Sequence, residues 1–534
     1  MTDLTTSYPL LTLAPPVLAL TLVILTRKVL ISLGAGVLAA ALLIQDLNPL
    51  DALLTVWQAF AAIFWADGAV NTWSVYILLF LLLLGVIAAF VLMSGGTTAF
   101  AAWAMRRIRK RPGSMILPAV LGIAIFIDDY FNALAVGQIS RPVTDQHRVS
   151  RAKLAYIIDS TSAPVSVLSP FSSWGAYIMG ILAPIIAAST LSISSVQAFL
   201  GAAVANFYAI AAALMVWLVI VFRIDLGPMR KEERRALVDG HLFDPEDTVP
   251  GRLSDDLPVH EPGTRRALFV PFLLLVLGVF AGIVWTGRRA AGTWNIIDIL
   301  AETDASAALV VGGVLGLAAA VYYYLRNTRR DPAFTGSMFA RGWLEGVKSM
   351  LPAIAILLPA WMLGDVVSQL GTGDYLGHLV EVSNISAGWL APVVFLIAGA
   401  MAFATGTSWG SFGLLLPIAG GIINSMDEPA LLLPVLGAVL AGAVAGDHAS
   451  PISDTTILSA TGSSCNVITH VITQLPYVAS AAVCAALGYV ALALTGSTVI
   501  GLSALAVALV AFVVVMRMVS TPVGDAVRAG TTAA

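Results

Sequence analysis

Two short stretches concentrate chemistry in a chain that otherwise avoids it. Gly446–Thr456, GDHASPISDTT, carries two carboxylates, an imidazole, four hydroxyls and a proline, directly after the uncharged run ALLLPVLGAVLAGAVA. Ile127–Asn132, IDDYFN, sets Asp128 beside Asp129 and places Asn132 four residues after Asp128. Hard oxygen ligands of this kind suit a monovalent cation. Burial and a like-charged neighbour also favour the neutral, protonated carboxylate, so the same groups suit a proton. In a helix Asp128 and Asn132 share a face, whereas Asp128 and Asp129 point about 100° apart. The bland alternative is an ion pair with a basic residue of 141–153.

Asp159 opens a second hydroxyl-rich stretch, DSTSAPVS, with Ser160, Thr161, Ser162 and Ser166. It can cap a half-helix or ligate an ion; hydroxyls in membrane helices otherwise bond back to their own carbonyls. Pro451 removes a backbone donor and disfavours helix at Ser450, so the backbone is expected to open beside Asp447, His448 and Asp454. His448 is either a proton relay near neutral pH or a hydrogen-bonded structural histidine. Gly406-Thr407-Ser408-Trp409-Gly410 matches the G-x-S-x-G pattern of a hydrolase nucleophile, but that pattern needs a strand-to-helix elbow. The glycines here suit close backbone approach, with Thr405, Thr407 and Ser408 facing a cavity. Asp365, Asp374, Glu345 and Lys348 flank a span, and Glu345 with Lys348 fits a surface pair.

The elements that must hold these residues are membrane helices. Of 534 residues 58% are hydrophobic and 11% charged, against about 25% charged in a soluble domain, and mean hydropathy is +0.90. Trp73–Met93 exceeds the roughly 20 apolar residues that span a bilayer, and Val270–Trp285 approaches it. Further candidates are 10–26, 29–44, 196–222, 305–325, 343–370, 387–402, 430–445, 472–496 and 498–516. The expected class is an all-α polytopic membrane protein with about 11–13 transmembrane helices in two inverted repeats, including broken or re-entrant helices. The expected division is a membrane half over 1–222, a polar cytoplasmic loop over 223–266, and a second membrane half over 267–534. No cleavable signal peptide is expected. Cys465 and Cys484 offer neither a disulfide framework nor metal spacing.

Basic clusters at Arg27-Lys28, Arg106–Arg111, Arg141–Lys153 and Arg326–Arg330 are placed inside by the positive-inside rule, leaving the N-terminus outside; Arg288 and Arg289 run against it. Segment 114–140 then starts and ends on the same side with too few residues for two spans, which predicts a re-entrant hairpin or interrupted helix around Ile127–Asn132. The halves also resemble each other: FIDDYFNALAVG and DSTSAPVSVLSP in the first, FATGTSWGSFGLLLPI and GDHASPISDTTILS in the second. Inverted repeats with a site between broken helices at the midplane are the architecture of many secondary transporters. A rival register pairs Ser173-Trp174-Gly175 with Ser408-Trp409-Gly410.

GDHASPISDTTILSATGSSCNVITHVITQLPY (446–477) resembles the signature of the NhaC family of sodium/proton antiporters, and GTSWGSFG (406–413) resembles the motif preceding it. Residues 126–165 are similar to the first-half motif of one branch. The resemblance implies exchange of Na+, or another monovalent cation, for H+ across the bacterial inner membrane. It places Asp128, Asp129, Asn132, Asp159, Ser408, Asp447, His448 and Asp454 near the transport site, and the reading of the residues themselves adds Ser162, Thr407, Ser450 and Thr455 to the expected ion site. Asp128, Asp159, Asp447 and Asp454 would take the transported Na+. The expected partners are the bilayer, the cation and a second copy in a homodimer, with no nucleic acid. No cofactor and no enzymatic activity are expected; neither a P-loop nor H-E-x-x-H is present. The family is also similar to organic-acid exchangers, so a Na+- or H+-coupled carrier of organic anions or amino acids is the alternative. The absence of arginine from the candidate site stretches 126–137, 159–170, 403–418 and 446–459 favours the cation.

Overall fold

The computed structural model describes residues 7–26, 28–66, 68–126, 129–170, 172–250, 257–372, 375, 378, 386–426 and 428–524. Their regular elements are helices apart from one antiparallel pair of two-residue strands, Trp65–Ala66 with Ala69–Val70. After a short 3-10 turn, Pro9–Leu13, the first half runs α1 (Ala14–Thr26), α2 (Val29–Ile44), α3 (Pro49–Ala62), α4 (Thr72–Met93), α5 (Gly96–Arg107), α6 (Arg111–Ala124), α7 (Asp129–Gln146), α8 (Arg151–Asp159), α9 (Ala163–Ser166), α10 (Ser173–Ala187), α11 (Ser195–Val204) and α12 (Phe207–Phe222). A polar helix, α13 (Gly227–Val238), follows. The second half runs α14 (Arg266–Ala291), α15 (Ile296–Ala301), α16 (Ala305–Thr328), α17 (Gly336–Gln369), α18 (Ala387–Thr405), α19 (Ser408–Ser425), α20 (Pro429–Ala449), α21 (Asp454–Ser463), α22 (Val467–Thr495) and α23 (Thr498–Val519).

Among the described residues eight helices are long and apolar enough to cross a membrane, or nine if the pair α11–α12, bent by 55°, counts as one span. Four shorter apolar helices add to these. The chain is therefore an all-α, multi-pass membrane protein. The expected 11–13 transmembrane helices include broken ones, and the eight or nine full-length spans with the four shorter apolar helices fit that class.

Each break has a local cause. Pro451 leaves Ser450 extended at ψ 127, and Ser453 then caps α21 by accepting from Thr456 N. Gly406 takes φ +71 to end α18, and a Cβ there would lie 2.7 Å from the Ile452 carbonyl oxygen. At the α11–α12 bend, Tyr489 donates to Ala205 O at 2.7 Å and accepts from Phe207 N. α6 and α7, on either side of the expected hairpin or interruption, pack against each other. Ile127 and Asp128, at the centre of that expectation, lie outside the described residues.

Three apolar cores hold the helices together, and none follows the division of the chain at 223–266. One joins α6, α10, α11 and α12 to α18, α19, α20, α22 and α23. The second joins α4, α5 and α7 to α14, α16 and α17. The third joins α2 and α3 to α17 and α21. The broken helix α8 gives Ala155, Tyr156 and Ile157 to the first core and Leu154 and Ile158 to the second. The broken helix α21 gives Leu458 to the second and Ile457 and Ala460 to the third. The polar breaks thus lie along a seam between packed bodies.

Residues 223–250 form a folded cap rather than a solvated loop. Met229, Ala236 and Glu233 of α13 are buried. Glu233 pairs with Arg111, and Lys153 with Asp225 at 2.9 Å. The N–H of Ser150 also donates to Glu233 at 2.9 Å.

Candidate functional site

The two motif helices that break in mid-course, α8 and α20, bring their ends together. The Ser160 hydroxyl, just past α8, lies 3.2 Å from His448 Nε2. The other imidazole nitrogen, Nδ1, lies 2.8 Å from the Tyr208 hydroxyl of α12. Asp159 takes Thr456 and Ser459 of α21 as donors at 3.3 and 3.2 Å, and His470 Nε2 of α22 lies 3.0 Å away. His448 Nε2 is 4.0 Å from the same carboxylate. One first-half aspartate thus ties three second-half elements, and it is 1% exposed.

Asp447 and Asp454 are held differently. Asp447 Oδ2 accepts from the Ser408 hydroxyl at 2.7 Å and from the Ser408 N–H, the first of α19, at 3.2 Å. That arrangement places the carboxylate at a helix N-terminus, where anionic charge is favoured. Asp447 Oδ1 is buried and has no hydrogen-bond partner among the described residues. Asp454, at the N-terminus of α21, accepts from the Tyr130 hydroxyl of α7. Asp447 and Asp454 are 2% and 9% exposed, and neither forms an ion pair among the described residues. Two buried carboxylates without a counter-cation are costly unless neutralised.

Asp454 lines two adjoining cavities of about 410 and 200 Å³, which share Trp73 and Thr407 in their walls. Asp129 lines the smaller one and accepts from Trp174 Nε1 at 2.9 Å. The cavities lie beside the first turns of α4 and α16. At the opposite end of α21 the backbone is closed off: Arg151 donates to Ser463 O at 2.8 Å and Arg141 to the Ser464 hydroxyl. Cationic donors suit a helix C-terminus. α21 packs on α7 at Gly137 and Gly462, where a Cβ on either would meet the other helix's backbone at 2.3 Å.

The remaining expected residues play supporting parts. Asn132 Nδ2 donates to Gly122 O, Ile125 O and Thr161 O at 2.6, 2.9 and 3.1 Å, satisfying carbonyls that the α6 and α8 breaks leave open. The Ser162 hydroxyl bonds to Asp159 O, and that of Ser450 to Phe403 O. Thr455 lies 2.9 Å from the Ser453 hydroxyl. Ser408 bonds Asp447 while His448 bonds Tyr208 and Ser160, so no nucleophile–base pair forms on the G-x-S-x-G stretch. Ser173-Trp174-Gly175 and Ser408-Trp409-Gly410 meet in space, with their indoles 5.8 Å apart. Asp365, expected at the flank of a span, lies inside α17 and lines the larger cavity. Asp374 lies outside the described residues. Sequence reasoning missed His470, Gln474, Tyr208 and Trp174. His470 and Gln474 were findable: both lie in the 446–477 stretch, four residues apart on one helix face, and Gln474 Nε2 donates to His448 O at 2.8 Å.

A multi-pass carrier, with interrupted helices and uncompensated acids along a seam between packed bodies, is the class that this fold and site define. The chain belongs to the Na+/H+ antiporter family, whose sequence profile matches residues 165–494. An uncharacterized protein of Haemophilus influenzae is 40% identical over 513 residues, 95% of each chain. The Na+/H+ antiporter NhaC of Alkalihalophilus pseudofirmus is 30% identical over 190 residues, covering 35% of this chain and 36% of that one. The malate-2H+/Na+-lactate antiporter of Bacillus subtilis is 36% identical over 134 residues, covering 24% and 26%. The match to these two functionally named relatives spans about a third or less of their lengths.

Proposed function

We propose that the protein exchanges Na+, or another monovalent cation, for H+ across the bacterial inner membrane. The observation that carries this reading is the pair Asp447 and Asp454, buried without a counter-cation among the described residues. Such a pair must hold protons or a cation before it moves through a low-dielectric interior. The two occupants exclude each other. A bound cation favours the ionised carboxylate, and a proton removes the charge that holds the cation. Each neutralised state can cross, while the empty, charged state is held back by its desolvation cost. The Na+ ligands would be Asp447 Oδ1, Asp454 and the opened backbone over Ser450–Ser453, all oxygen donors.

Asp159, held by Thr456, Ser459 and His470, acts as a latch between the halves rather than as the exchanging acid. Motion of one packed body against another along the seam would give alternating access. An organic anion is disfavoured at this site, because no Lys, Arg or His lines either cavity among the described residues. The test is proton movement in proteoliposomes driven by Na+, with choline as control. Na+ should drive it without any organic substrate, and Asp447→Asn and Asp454→Asn should each reduce it more than about tenfold while the protein remains folded in detergent. Wild-type rates in both variants would sink the assignment.

A further inference from the structure

The entrance to Asp454 is larger and more aromatic than a bare metal ion requires. One water occupies about 30 Å³ of liquid, whereas the larger cavity holds about 410 Å³, in the range of small-molecule sites. Its walls carry the Trp73 and Trp361 indoles, 5.4 Å apart, together with the carboxylates Asp365 and Asp454. The adjoining cavity adds Tyr130 and Trp409. Trp73 is 49% exposed. The buried Trp361 N–H faces Asp454.

Aromatic faces converging with carboxylates, in a space without basic side chains, match the chemistry that recognises alkylated ammonium ions. The ring quadrupole attracts the diffuse charge, and the carboxylate neutralises it. Na+ draws little from such walls, because its preferred ligands are oxygens. A zwitterion or organic acid of the same size would bring a carboxylate against Asp365 and Asp454.

We infer that this outer cavity binds an organic ammonium ion, which competes with Na+ for Asp454 and is a second substrate class of the carrier. The inference rests on the exchange reading for the part played by Asp454. Trp73 and Trp361 would set the preference for the organic cation, and Asp365 would supply the second charge.

Tetramethylammonium and glycine betaine form the decisive pair of probes. They share the quaternary head, neither carries a proton through the bilayer as a weak base, and betaine adds one carboxylate. In proteoliposomes, millimolar tetramethylammonium should drive proton movement itself or raise the Na+ concentration needed for half-maximal movement; betaine should do neither. Trp361→Leu should weaken the tetramethylammonium response about fivefold or more relative to that of Na+. Trp361→Phe should restore most of it, and Asp365→Asn should shift the preference the same way as Trp361→Leu. Persisting Na+-driven movement certifies that each variant is folded.

Na+-driven movement untouched by tetramethylammonium would overturn the inference, leaving a water-filled entrance, while the exchange reading stands. Equal responses to betaine and tetramethylammonium would overturn it as well. Movement with tetramethylammonium but none with Na+ would support the organic cation and sink Na+ exchange. Silence with both would remove both proposals.

Discussion

Three aspartates that look interchangeable in the sequence stand in different surroundings. Asp159 has donors from two further helices, so Asp159→Asn should cost stability, about 1–3 kcal/mol in unfolding measurements, and reduce exchange less than Asp447→Asn does. Ligand-free Asp447 and Asp454 should behave oppositely: their asparagine variants remove an uncompensated charge and should match or exceed the wild type in thermal stability without added Na+. A melting comparison in choline chloride decides this. The acids themselves were legible, because charge inside an apolar run is rare enough to mark a site. Which acid carries a counter-group was not. The partners of Asp159 lie 297 to 311 residues away, and no spacing rule reaches that far.

Half-helices were anticipated where proline, glycine and hydroxyl residues interrupt hydrophobic runs, and α20–α21 breaks for those reasons. The closure of the C-terminal end of α21 was hidden, because Arg141 and Arg151 read as ordinary inside-positive residues until α21 is placed against them. That closure has its own reporter. Cys465, 1% exposed, follows Ser464 directly, and the other cysteine, Cys484, can be replaced by serine. In Cys484→Ser protein, Arg151→Ala should speed modification of Cys465 by a water-soluble thiol reagent more than about tenfold, since the thiol reacts only when reached by solvent. Unchanged labelling would mean that the arginine does not hold this end shut. The α7–α21 contact should tolerate no side chain: Gly462→Val should abolish exchange and folding alike, which a detergent-stability assay reads directly.

At the scale of the whole molecule, buried ion pairs of Glu233 with Arg111 and Asp225 with Lys153 hold the cap to the first half, and hydrogen bonds from Leu226 N–H to the Tyr477 hydroxyl and from Thr469 to Asp247 hold it to the second. Burial pushes Glu233 upward, but Arg111, Lys153 and the Ser150 amide outweigh it and hold the carboxyl below the ordinary glutamate range. A lowered folded value gives stability that is present above the unfolded value, about 4.3, and lost as pH falls through the lowered one. The melting temperature should therefore drop below about pH 4.3, and Glu233→Gln should flatten that dependence. Composition announced the membrane class at once. The intermixing of the chain halves in every core was illegible, since one apolar helix face resembles another and only shape decides the partner. That intermixing sets a timetable for synthesis. Asp159 enters the bilayer about 300 residues ahead of Ser459, so at roughly 5–20 residues per second it waits about 15–60 s for its donors. A nascent first half is thus an unfinished surface with a charge exposed in it, and a chain stopped before Asp447 should be cleared by membrane proteases faster than the full chain in a pulse-chase.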